Sequence, residues 1–170
     1  MTTDVKASAE AQLTLRRVVR VLIALGLCCW AYWAACLSSK GMTFGGISGE
    51  YGPTGSDGQP TDGPILSVSM ELGPSLWTVF LALLIVIAGV AVAGRRASVA
   101  DADRVLRSTV AVLVGFTVLA IVTAQTAFGL TPLREDMTDG ERVWIPFGVI
   151  DVTVTDVYQE YLENFEQMEG

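Results

Sequence analysis

The sequence predicts an all-α membrane protein: three transmembrane helices with a small extracytoplasmic strand-and-helix cap. Three observations predict it. The apolar residues fall into three blocks without charge. The basic residues divide unevenly between the segments flanking those blocks. The polar segments on one side carry short alternating and helical patterns. Composition agrees: 51% of the 170 residues are hydrophobic and 17% charged, with a mean hydropathy of +0.49, against about 25% charge in a soluble domain.

The chain divides into seven segments on this basis. Residues 1–20 form an N-terminal segment and 21–39 the first span, VLIALGLCCWAYWAACLSS. Residues 40–73 form a Gly-rich loop, 74–94 the second span, 95–107 a short loop, 108–130 the third span and 131–170 an acidic tail. A helix needs about 20 apolar residues to cross some 30 Å of hydrocarbon. All three blocks qualify, whereas a buried core helix rarely sustains such a run without a polar face.

Positive charge sets the expected orientation. Lys6, Arg16, Arg17 and Arg20 precede the first span, and Arg95, Arg96, Arg104 and Arg107 lie between the second and third. The other two segments hold only Lys40, Arg134 and Arg142. The N-terminus is therefore expected in the cytoplasm, the C-terminus outside, and the chain in the cell membrane. Trp30, Tyr32, Trp33 and Trp77 mark the outer interface, where Trp and Tyr concentrate. Most of the acidic residues fall on the same outer side, so the net charge of −7 describes that face. It excludes nucleic acid as a partner, which requires a basic surface.

The first apolar block follows a basic segment, as a cleavable signal would, but is long for one. Trp33-Ala34-Ala35-Cys36 approximates a lipidation motif, yet carries Trp where an aliphatic residue belongs. An uncleaved anchor helix is expected. Cys28 and Cys29 fall in mid-membrane and, being adjacent on a helix, point about 100° apart. Cys36 is expected near the outer surface, where an intermolecular disulfide is the alternative to simple packing. The chain contains no histidine and no cysteine pair at metal-ligand spacing, so no metal and no cofactor is expected.

Within the spans, Ala24, Cys28, Ala31 and Ala35 recur at spacings of four, three and four. That places them on one helix face as a helix-packing stripe. Gly89–Ala93, Ala111–Gly115 and Ala120–Ala124 are further small-residue pairs. The one polar cluster, Thr123, Gln125 and Thr126, is expected to bond a neighbouring helix or lipid headgroups. Ser98 with Asp101 approximates a capping box, so the helix is expected to begin there and run through Asp103 and Arg107 into the third span.

Outside the spans, GGISGEYGPTGSDGQPTDGP is loop material. Asp57 and Asp62 within it lack the alternating ligands of a calcium loop. Leu66, Val68, Met70 and Leu72 alternate with polar residues, as do Ile150, Val152 and Val154, and each set predicts a strand. Tyr158, Tyr161, Leu162 and Phe165 repeat at helical spacing, and this amphipathic helix is expected to dock on protein.

Functionally, no nucleophile–base pair appears, and the spans lack the ionisable groups that ion and proton pathways use. The expectation is a non-catalytic accessory, assembly or stabilising subunit of a larger complex, its partners being the lipid bilayer and other membrane protein subunits. The alternative is a small oligomeric transporter or channel component, in which the chain forms a homo-oligomer.

Overall fold

The computed structural model describes residues 2–48, 52–54, 65–96 and 98–157. The chain forms three helices and six strands in the order α1 (Thr2–Ala35), β1 (Ser38–Phe44), β2 (Gly46–Ser48), β3 (Gly52–Thr54), β4 (Leu66–Pro74), α2 (Leu76–Gly94), α3 (Val99–Leu130), β5 (Arg142–Ile145) and β6 (Gly148–Asp156). It divides into two compact units. One holds residues 1–36 and 74–125, the other 37–73 and 126–170.

The first unit is helical. Three stretches are long and apolar enough to cross a membrane: Leu15–Ala35 of α1, all of α2, and α3. Their exposed surface carries Leu22, Ile23, Leu27, Leu83, Ile87, Val118 and Leu119, side chains that water would expel and hydrocarbon accepts. The interior is a narrow seam. Val21, Ala82, Val86, Ala93, Leu106 and Leu113 are buried together, with Leu25, Cys28, Ile85, Val90 and Phe116 packed against them. Among the small pairs, Ala120 and Ala124 are fully buried, as is most of Ala93, while Ala111 and Gly115 face outward. α2 and α3 approach closely at Gly89, where an added Cβ would lie 2.8 Å from the Cβ of Thr109. α3 is continuous over 32 residues, and the Asp101 amide donates to Ser98 Oγ at 3.3 Å at its start.

The second unit corrects the all-α expectation. It contains a four-stranded antiparallel sheet in the order β1-β4-β6-β5, with β2 and β3 forming a separate ribbon. The fold is mixed. The alternation in β4 and β6 marks the inward face correctly, since Val68, Met70, Leu72, Ile150 and Val152 are buried. The two outer strands carry no such pattern. β1 reads SSKGMTF and β5 RVWI. Each is an edge strand, paired on one side only, so neither needs the full period-two signature of a central strand. Arg142 Nε donates to Asp151 Oδ1 at 2.7 Å across the β5–β6 pair, reinforcing that register. The hairpin between them turns on Pro146 and Phe147, the latter at φ 61. Proline presets the first position, and phenylalanine at positive φ is held there despite the usual steric cost.

Candidate functional site

The first unit concentrates its polar chemistry where α1 ends and α2 begins. A helix start leaves amide N–H groups without intrahelical partners. Ser75 is the cap residue of α2 but makes no side-chain cap bond. Instead its own amide donates to the Tyr32 hydroxyl at 2.8 Å, and that hydroxyl donates to Thr78 Oγ1 at 3.2 Å. Tyr32 thus serves α2 from α1. It is only 2% exposed, whereas Trp30 is 71% exposed. Trp30, Trp33 and Trp77 are exposed, whereas Tyr32 turns inward because its hydroxyl has partners there.

Removing that hydroxyl tests the arrangement. Tyr32→Phe keeps the ring and strands the Ser75 amide in a buried position. We expect a loss of about 1–2 kcal/mol, read as a lower midpoint in detergent-denaturation of the purified protein. An unchanged midpoint would show that the hydroxyl is dispensable to α2.

The other end of this region is closed by Gln125, whose Nε2 donates to the Ala35 carbonyl in the last turn of α1. This is the neighbouring-helix bond expected of the polar cluster. Thr109 and Thr117 donate to the carbonyls of Val105 and Leu113, each at 2.9 Å. Among the described residues no buried side-chain nitrogen or oxygen lacks a partner. The space enclosed by Cys28, Tyr32, Thr78, Phe116 and Thr117 amounts to about 10 Å³, room for one water at most.

Ala24, Cys28, Ala31 and Ala35 are all half-buried. Cys28 packs against the interior seam, and Ala35 contributes the carbonyl that Gln125 engages. Cys36 does not sit at an open surface; it is fully buried, one residue past α1. Burial of its thiol removes it from ready disulfide exchange or modification, which require access. Tyr158, Tyr161, Leu162 and Phe165, the expected docking face, lie outside the described residues, as do Asp57 and Asp62. Among the described residues no group of three or more His, Cys, Asp or Glu side chains is placed to hold a metal ion.

The second unit has one residue that the sequence did not single out. Lys40, on β1, extends its Nζ to the carbonyls of Phe128 and Thr131 at the end of α3. The same ammonium lies 4.8 Å from the centroid of the Phe128 ring. Terminal helix carbonyls lack intrahelical partners and carry partial negative charge, so a cation there is doubly favoured. In the sequence Lys40 is simply the lone cation of its loop; nothing local announces partners some ninety residues away.

Comparison with protein-family models, curated proteins and solved structures finds no match to this chain.

Proposed function

We propose that the chain is a non-catalytic multi-pass protein of the cell membrane that serves as an accessory, assembly or stabilising subunit of a larger membrane complex. Its N-terminus lies in the cytoplasm and its C-terminus outside. The observation that carries this reading is the satisfied polar interior of the helical unit. Its buried threonines spend their hydroxyls on neighbouring backbone or on Tyr32, and the space beside Tyr32 and Thr117 amounts to only about 10 Å³. A transport path through one chain would need ionisable or unpaired polar groups at depth. Helices with outward small residues, such as Ala111 and Gly115, instead suit a protein that packs beside others.

The sheet supports one part of the topology. β4 precedes α2, β6 follows α3, and the two strands are neighbours in one sheet. Segments hydrogen-bonded together lie on one side of a bilayer, so α2 and α3 cross it as a pair. The uneven basic charge supports that side lying outside.

Native mass analysis of the tagged protein, extracted in mild detergent, tests the role. We expect defined, unlike membrane proteins at fixed stoichiometry. A clean homo-oligomer with no other subunit would favour the transporter or channel reading and overturn this one. Reporter fusions at Arg96 and after Gly170 test orientation; a cytoplasmic signal from the C-terminal fusion would reverse it.

A further inference from the structure

The end of the helical unit where α3 begins carries three guanidinium groups around one carboxylate. Arg17 and Arg20 are three residues apart on α1. Asp103, Leu106, Arg107 and Val110 follow one face of α3. With Val21 they line a cleft of about 290 Å³. Asp103 is fully committed: one oxygen lies 3.3 Å from Arg17 Nε and the other 2.7 Å from Arg107 Nη2. Arg17 also donates to the Val99 carbonyl at 3.5 Å, so its side chain, 23% exposed, is held in place. Arg107 is 82% exposed despite its ion pair. Arg20 is exposed, and among the described residues it has no ion-pair partner.

The cleft is therefore two-sided in chemistry. Its rim holds more positive charge than Asp103 neutralises, and its floor is Val21 and Leu106, both buried, with Val110 beside them. Val21 opens the charge-free run of α1, so the floor leads from the headgroup level toward hydrocarbon.

We propose that this cleft binds an anionic glycerophospholipid, its phosphodiester held between Arg20 and Arg107 and its glyceride lying on Val21, Leu106 and Val110. The proposal rests on the helices crossing a membrane and is independent of the subunit role. Guanidinium forks match phosphate oxygens in pairs, and basic pockets between transmembrane helices suit anionic headgroups. A zwitterionic lipid would bring its own cation against the arginines. An acidic peptide would gain nothing from an apolar floor that runs into the bilayer. Arg17 and Asp103 set the cleft's shape, whereas Arg20 and Arg107 present the charge.

The test uses the intact protein reconstituted in nanodiscs of equal phosphatidylglycerol and phosphatidylcholine, then released for native mass spectrometry. Wild type is expected to retain phosphatidylglycerol in preference. Arg20→Gln should reduce that preference about fivefold, and Arg20→Gln with Arg107→Gln should abolish it. Arg95→Gln with Arg104→Gln removes the same charge from outside the cleft and should leave the preference intact. Equal loss in both double variants would mean a diffuse surface potential and overturn the site. Equal retention of the two lipids by wild type would also overturn it. Saturation by inorganic phosphate alone, displacing the lipid at comparable concentration, would assign the cleft to a free anion and overturn the lipid reading.

Discussion

Gly89→Ala is expected to lower stability by about 1–3 kcal/mol, a large effect for one added methyl group. The new Cβ would meet Oγ1, Cγ2 and Cβ of Thr109, the last at 2.8 Å. Thr109 cannot simply swing aside. Its hydroxyl is bonded to the Val105 carbonyl, and its Cβ is fixed by the backbone of α3. Relief therefore requires α2 and α3 to move apart along their contact. Between helices in lipid, close packing carries much of the association, because lipid tails are as apolar as the side chains. Loss of that contact is not offset by a hydrophobic gain elsewhere. Gly89→Leu should be more damaging still. Thr109→Ala removes two of the three contacting atoms, so Gly89→Ala should cost less than half as much in that background as in wild type. Coupling of this size is characteristic of residues in direct contact. Denaturation midpoints of the four proteins in one detergent would decide it. Additive effects would mean that the two residues do not touch.

Lys40→Met is the second large expectation. Methionine retains the apolar stem over Phe128 but removes the ammonium from the carbonyls of Phe128 and Thr131. Phe128 O also accepts the Thr131 amide at 3.3 Å, so one acceptor is only partly stranded. Bonds to a charged donor contribute about 1.5–3 kcal/mol, and we expect a loss in that range. Lys40→Arg should recover only part of it, since the flat guanidinium cannot converge on two carbonyls as a point ammonium does. The readout is hydrogen exchange in the β1 strand. As an edge strand, β1 is paired only with β4, and its amides should exchange faster once Lys40 no longer anchors it. Unchanged protection in Lys40→Met would show that the strand pairing suffices alone.

These two residues also show what the chain discloses locally and what it does not. The three spans were legible because length and lack of charge are properties of contiguous residues. The inner faces of β4 and β6 were legible for the same reason: Val68, Met70 and Leu72, then Ile150 and Val152, alternate within a few positions. β1 and β5 were not, because β1 is irregular in pattern and β5 only four residues long, and an edge strand takes its order from its neighbour. Tyr32 looked like its neighbours Trp30 and Trp33. Its inward turn depends on Ser75 and Thr78, which adjoin it only after the helices pack. Gly89 was legible as a small residue but not as a contact, since Thr109 belongs to another helix. The stripe of Ala24, Cys28, Ala31 and Ala35 was equally plain as a pattern. What it packs against at Ala24 and Ala31 is a matter of assembly rather than of spacing.

The strand order has a consequence for how the protein is made. β1 and β4 are adjacent in the chain apart from a loop and can pair as soon as both have left the ribosome. β4, however, is a central strand, and its second neighbour is β6. All of α2 and α3 must be synthesised and inserted before β6 exists. At about 5–20 residues per second, one side of β4 stays unpaired for several seconds, with a full row of amides and carbonyls open to any extended chain nearby. The newborn protein thus passes through an interval in which its half-built sheet can recruit a foreign strand, and arrival of its own last strand ends that interval.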